Sequence, residues 1–407
     1  MILKLAWRNI WRNKRRTLIT TASVFLAVFL ALIMRSMQLG SYAYIIYSIV
    51  HSYTGYIQVH REGYWKDKDI NLSFPFDEGF SRRIQQNPNI SAIVPRLESG
   101  ALVSAGMHTK GALVVGTVPS AETEMTGIRK HLIHGRFLLD QDNGVLVAEK
   151  LANYLGIRPN DTLALIGQGY HGGEVAARFP VAGIVRLNSP DLNSQLIYLS
   201  LPACQSFYGA GNQVTSVALV LRDPQQIHKT VRVLKNMLDP SKFEVMTWDE
   251  MMTGVLSLIN ADSASGLIML GILYLVVGFG IFGTILMMTN ERIREFGIMI
   301  SIGTRKTKVL TLILAESFLI GFLGLATGIA SSIPIILYYH LHPIYLTGDS
   351  ARSMEGMGFE SLLCFQPPGF YFLNNAFVIL GIILLAALYP VRKILSMRPV
   401  NAMKNRS

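Results

Sequence analysis

Gly266 to Met288 reads GLIMLGILYLVVGFGIFGTILMM, 23 residues without a charge. As a helix rising 1.5 Å per residue it would be ~35 Å long, enough to cross the ~30 Å hydrocarbon layer with some tilt. Inside a bilayer every backbone amide must find its partner within the protein, so a run of this length is read as a spanning helix. Three more segments qualify. Thr17 to Met34 is uncharged, Val309 to Tyr339 is interrupted only by Glu316, and Ala376 to Tyr389 extends back through Phe370. Pro334 predicts a kink or break in the third of these. The sequence therefore predicts four transmembrane helices. Composition agrees: of 407 residues 50% are hydrophobic and only 15% charged, with mean hydropathy +0.36. Such a chain is neither disordered nor a low-complexity filament.

The formal net charge of +11 suggests nucleic acid or membrane, and the placement of the charges decides. Residues 1–16 hold six basic groups and no acid, residues 289–308 five basic and two acidic, and the tail after Pro390 five basic and none acidic. Segment 40–262 has 19 basic and 20 acidic residues, and 340–370 has one against three. The bias of Lys and Arg toward cytoplasmic segments predicts both termini and the 289–308 loop inside, with 40–262 and 340–370 outside. The positive excess is topological, and no nucleic-acid partner is expected. The first apolar run is read as an uncleaved anchor, since its basic flank is long and no small-residue cleavage site follows. Cys204 and Cys364 both fall on the outward side, where a disulfide would persist. A bridge between them and two separate thiols both stay open.

Leu3, Trp7, Ile10 and Trp11 recur at helical spacing opposite Lys4, Arg8, Arg12 and Arg15. That pattern predicts a helix lying in the inner interface, anchored by Trp7, Trp11, Arg15 and Arg16 against membrane lipid. Segment 40–262 carries β-rich runs at 55–60, 101–104, 112–116, 162–166, 179–185, 195–199, 214–221 and 243–247. Helices are predicted at Glu149–Leu155, closed by Gly156, and after Asp223, where Ile227, Val231, Leu234 and Leu238 share a face. Strands and helices do not alternate cleanly, which predicts an α+β domain. Residues 42–50 and 249–262 would form stalks joining it to the helices. The expected plan is an α-helical membrane protein with a large α+β extracytoplasmic domain inserted between helices 1 and 2. Its parts are 1–39 (interfacial helix and helix 1), 40–262 (external domain with stalks) and 263–407 (helices 2–4 and a cytosolic tail).

No phosphate-cradling loop, HExxH or GxSxG motif occurs; Gly303-Thr304-Arg305-Lys306-Thr307 lacks the second glycine of a nucleotide loop and the strand before it. His131 and His134, or His340 and His342, have no acid or thiol cluster to complete a metal site. No catalytic residue, metal or resident cofactor is expected. The informative stretch is Thr289 to Lys308, TNERIREFGIMISIGTRKTK. Ile293, Phe296 and Ile300 share one helical face, and Glu291, Arg292, Arg294 and Glu295 are read as exposed to solvent or a partner. Gly297 and Gly303 are read as interrupting the helix. A mixed-sign face on a short helix suits protein docking.

Asn290-Glu291-Arg292-x-x-Glu295-x-Gly297-Ile298, then Ile302-Gly303 and Glu316, resemble the FtsX-like/MacB-type permease family of mechanotransmitting ABC transporters. Trp7-Arg8-Asn9 at the start, Tyr389-Pro390-x-Arg392 with Pro399 and Ala402 at the end, and Gly144 to Val147 in the external domain are similar too. The resemblance implies a dimer with a like or unlike second permease subunit and two cytosolic ABC ATPase subunits that hold the ATP and Mg. Residues 290–303 would be the coupling helix, with Glu291, Arg292, Glu295, Gly297 and Gly303 as ATPase-coupling positions. The layout is similar to the lipoprotein-releasing (LolC/LolE-type) branch in the inner membrane. That implies extraction of lipoproteins to a periplasmic carrier or adaptor, acyl chains lying against Phe25, Phe29, Ile33, Leu267, Met269, Leu270 and Leu273. Efflux of peptides or drugs, and an envelope sensor that transports nothing, are the alternative readings. Glu316, an ionisable group inside a spanning helix, is a structural or coupling acid; without a second acid or His in the helices, a structural hydrogen bond is preferred over proton relay.

Overall fold

The computed structural model describes residues 2–12, 14–356 and 360–396. Contacts divide the chain into two units, Met1–Ala43 with Leu258–Tyr345 and Leu362–Ser407, and Tyr44–Ser257 with Leu346–Ser361.

Along the chain, α1 (Ile2–Arg12) is followed by α2 (Lys14–Ile49), 36 residues without interruption. The interfacial helix thus stops at Arg12, and Lys14 and Arg15 already belong to α2. Thr17 Oγ1 of α2 donates to the Ile10 carbonyl of α1 at 2.9 Å. A single π-helical turn, Val50–Thr54, ends α2 at Gly55, whose φ of 65° lets the chain reverse.

The second unit is built on a ten-stranded sheet: β1 (Ile57–Arg61), β2 (Ile90–Ala105), β3 (His108–Thr117), β4 (Leu132–Gly135), β5 (Val145–Ala148), β6 (Thr162–Gln168), β7 (Glu174–Val185), β8 (Leu196–Ser200), β9 (Ser216–Leu221) and β10 (Phe243–Thr247). Its order is β10-β1-β9-β2-β3-β8-β5-β7-β4, and β6 pairs with both β2 and β7. Only β3–β8 and β5–β7 are parallel. The mixed order fits the α+β expectation, with α3 (Pro119–Thr126), α4 (Glu149–Leu155) and α5 (Ile227–Met237) set around the sheet. Every residue of β5 and β8 is buried, as expected of strands covered on both faces. Helix Leu201–Tyr208, N-capped by Ser200, packs so closely on β3 that a Cβ at Gly116 would sit 2.1 Å from that of Cys204. Both cysteines are thiols. Asp223 caps a short 3-10 turn and α5 starts only at Ile227. The largest departure from expectation is β2, whose 16 residues begin eleven positions before the predicted run. Pro95, Arg96 and Glu98 break the apolar alternation there, and their burial is explained below.

The first unit holds α1, α2 as far as Ala43, α6 (Thr253–Glu291) from Leu258 on, α7 (Ile293–Ser301), α8 (Lys306–Leu341) and α9 (Phe370–Leu395). Among the described residues, four helices are long and apolar enough to cross a membrane, within Thr17–Thr54, Thr253–Glu291, Lys306–Leu341 and Phe370–Leu395. Of the kink or break expected at Pro334, the break does not occur: α8 runs through it, because a proline removes one bond from a ladder that 36 residues otherwise maintain. Gly324 and Gly328 bring α8 against α2. A Cβ at Gly324 would meet Val24 Cβ at 2.6 Å and the Thr21 carbonyl at 2.8 Å, and one at Gly328 would meet Val28 Cβ at 2.8 Å. Val24, Val28, Leu32, Ile281, Leu325, Ile379 and Ile383 form the core between these helices.

Candidate functional site

The segment singled out in the sequence folds as two helices meeting at Arg292. Glu291 is the last residue of α6, Arg292 leaves helical geometry at φ −95°, ψ 5°, and α7 begins at Ile293. The helix in the segment expected to couple, 290–303, is therefore Ile293–Ser301. Ile293, Phe296 and Ile300 pack on Val309 and Ile313 of α8 and Ile394 of α9, as their shared face predicted. Gly297 lies buried inside α7 and does not interrupt it. Gly303, at φ 98°, does end the segment, and the Thr304 amide turns back to the Met299 carbonyl at 3.0 Å.

Arg292 is the main correction. Read as exposed, it is buried, its guanidinium 5.2 Å from the Phe296 ring centroid. Its Nη1 donates to Glu316 Oε2 at 2.5 Å and its Nε to Glu295 Oε2 at 3.1 Å. The other oxygen of Glu316 accepts from Asn9 Nδ2 at 2.7 Å. Arg12, one turn along α1 from Asn9, donates Nη2 to both Glu295 oxygens at 2.9 Å. Asn9, Glu316, Arg292, Glu295 and Arg12 thus form one chain of polar contacts through α1, α8 and α7. Burial tends to raise the Glu295 pKa, but the bonds and charges of Arg12 and Arg292 outweigh it and hold the carboxyl below its usual range. A buried arginine needs such partners, since unpaired burial of a charge costs several kcal/mol (about 3–5 when one partner is removed). The ionic chain fixes α7 from its inner side.

The outer side of α7 is open. Arg294, Ile298, Ile302 and Arg305 are exposed or partly so there, Ile302 at 79%. The two isoleucines carry the family resemblance but were not read as an exposed face, although their i, i+4 spacing, offset from the Ile293–Phe296–Ile300 stripe, is the signal that marks one. Asn9 and Arg12 were also missed as partners of this segment. Nothing local marks a contact made across 283 to 307 positions of sequence.

The remaining predicted positions scatter. Trp7 and Trp11 are half exposed, while Ala6 and Ile10 of α1 turn inward, so the buried face of α1 is rotated from the expected apolar stripe. Arg15 is exposed; the side chains of Leu3 and Arg16, and the whole of Pro399 and Ala402, lie outside the described residues. Phe25 and Phe29 stack at 5.7 Å on α2, and Ile33 packs on the helical core. Leu267 and Met269 are exposed and Leu273 is partly so. Leu270, expected among the substrate-facing side chains, is buried.

Two family models match this chain. Residues 17–237 match the MacB-like periplasmic core domain, more than half of the chain, and residues 267–399 match the FtsX-like permease C-terminal domain. Among curated proteins, the chain is 20% identical over 344 residues to the lipoprotein-releasing system transmembrane protein LolC of Neisseria meningitidis serogroup B, covering 79% of this chain and 80% of that one. It is 23% identical over 343 residues to LolE of the same type of system in Haemophilus influenzae, covering 81% and 80%. It is 24% identical over 309 residues to the macrolide export ATP-binding/permease protein MacB of Bartonella quintana, covering 71% of this chain and 45% of that one. With its spanning helices, its α+β unit and both domain matches, the chain belongs to the FtsX-like/MacB-type family of membrane ABC transporter permeases.

Proposed function

We propose that this chain is the permease subunit of an ATP-driven complex that extracts lipoproteins from the outer leaflet of the inner membrane and passes them to a periplasmic carrier. The observation that carries the coupling half of this reading is α7. Its inner side is locked by the Arg12–Glu295–Arg292–Glu316 chain, and its outer side offers Arg294, Ile298, Ile302 and Arg305. A short helix held from within and apolar at its exposed centre is built to take load from a docked ATPase. On this reading the ATPase subunits hold ATP and Mg, and a second permease subunit completes the assembly. Glu291, Arg292, Glu295, Gly297 and Gly303 shape the seat, with Arg292 and Glu295 acting from its inner side.

The charge bias supports a topology with both termini and α7 in the cytoplasm and residues 40–262 in the periplasm. An acyl chain resists leaving the bilayer by about 0.8 kcal/mol per CH₂, so an extraction step needs work supplied from ATP. Phe25, Phe29, Ile33, Leu267, Met269 and Leu273 are the apolar side chains proposed to meet those chains. For the substrate, support comes from the two relatives whose names describe lipoprotein release, each matched over about four fifths of both lengths.

The test is reconstitution with the cognate ATPase in proteoliposomes loaded with a triacylated lipoprotein. ATP-dependent appearance of lipoprotein on an added soluble carrier is the expected result. ATP-dependent movement of a macrolide with no lipoprotein release would replace this substrate reading with efflux.

A further inference from the structure

The end of α2 is fastened to the sheet by a buried ionic cluster that the coupling platform does not involve. Residues 44–54 belong to the same unit as the sheet. The last carbonyls of a helix have no partner within it and must be satisfied from outside. Here the Tyr53 carbonyl accepts from Arg96 Nη1, and the Thr54 carbonyl from Gln58 Nε2 at 2.7 Å. The Tyr53 hydroxyl donates to Glu98 Oε2, also at 2.7 Å. Arg96, with no exposed surface, closes a two-pronged pair with Glu122 of α3, Nε to Oε2 at 2.9 Å and Nη2 to Oε1 at 2.5 Å. Thr117 Oγ1 supports Glu122 at 3.1 Å.

Stability alone does not call for this arrangement. Apolar residues of similar volume commonly replace buried ion pairs without loss. Moreover, Glu98 Oε1 stays buried without a hydrogen-bond partner, 3.8 Å from Arg96 Nη1. What ions supply that apolar packing does not is a directional, charge-assisted tie to one backbone atom. Arg96 is well placed to spread a load. It sits in β2, the longest strand, paired on one side with Thr117 of β3 and on the other with Ser216 of β9.

We propose that the Arg96–Glu98–Glu122 cluster is the joint that delivers movement of α2 to the sheet, its three members being positioning residues. The proposal rests on the ATP-driven reading above, but not on the identity of the substrate. The test compares amide exchange in the full permease–ATPase complex in nanodiscs, nucleotide-free and ATP-trapped, for wild type and Arg96→Met/Glu122→Met. In wild type, nucleotide should change exchange both at 44–54 and at 90–117. In the variant the change at 44–54 should persist while that at 90–117 falls at least about threefold, with ATP turnover within about twofold of wild type. If the double variant does not assemble, Tyr53→Phe, which removes one hydroxyl, should show the same uncoupling in weaker form. A variant whose strand response equals that of wild type, or a wild type with no nucleotide response at 90–117, overturns the joint. A strand response without lipoprotein release overturns the substrate reading and leaves the joint standing.

Discussion

Glu316 of α8 accepts at 2.5 Å from Arg292, the residue at which α6 gives way to α7, so the acid inside a spanning helix and the cation at the start of α7 are one pair. Removing one member strands the other. Arg292→Met should destabilise the protein by about 3–5 kcal/mol, and Arg292→Met with Glu316→Met should recover most of that loss. Thermal unfolding of the detergent-solubilised chain reads both. A double-variant loss equal to the sum of the losses of Arg292→Met and Glu316→Met alone would show that the pair is not coupled.

Arg12 and Glu295 are about half exposed, and a pair of that kind contributes at most about 1 kcal/mol. Glu295→Lys should weaken ATPase co-purification, because it places a third cation beside Arg12 and Arg292 under the proposed docking face. Adding Arg12→Glu should restore part of the binding. Unchanged binding in Glu295→Lys would remove α7 from the interface.

The glycines divide into two groups. Gly324→Ala should cost about 1–3 kcal/mol, since its methyl would fall 2.6 Å from Val24 Cβ and 2.8 Å from a carbonyl oxygen. Gly280→Ala and Gly283→Ala, with no atom within 4 Å of the added methyl, should be neutral or slightly stabilising in α6. A loss of assembly in the latter two, with the monomer's melting unchanged, would show that another subunit covers that face.

His60 is buried in β1, with Nε2 2.8 Å from Gln58 Oε1 and its ring stacked on Trp65. Burial, and secondarily the charge of Lys68, push its pKa down from 6.5 to about 3. The folded state keeps His60 neutral while the unfolded chain takes up a proton below pH 6.5. The stability it contributes is therefore present above about pH 6.5 and is lost as pH falls toward 3. The linkage is about 1.4 kcal/mol per pH unit, or about 2 kcal/mol between pH 6.5 and 4.5. Denaturation of the full chain against His60→Gln should show the gap between them closing by about that amount over this interval. A constant gap would contradict the shift.

Much of this was legible beforehand because it is local. The four apolar runs, the strand alternation of 162–166 and 195–199, the Gly156 cap and the Ile293–Phe296–Ile300 stripe depend on near neighbours only. What stayed hidden depends on distant ones. Arg292 reads as exposed because its partner, Glu316, lies 24 positions away, and β2 reads as short because Arg96 and Glu98 look like surface residues until Glu122 and Tyr53 are placed beside them. The expected helix 290–303 is too long since nothing in the residues around Arg292 announces the break. Charge in an apolar neighbourhood was the signal in each case, and its meaning needed the third dimension.

Cys204, sealed beneath β3 with its thiol pushed up in pKa by burial, is sheltered from water-borne alkylating reagents, while Cys364 has some surface. Replacing Cys364 alone should thus give a background silent to such reagents. New cysteines at Arg15, Arg294 and Met107 could then be titrated from either side of a sealed vesicle, which turns the sidedness inferred from charge into a direct chemical readout.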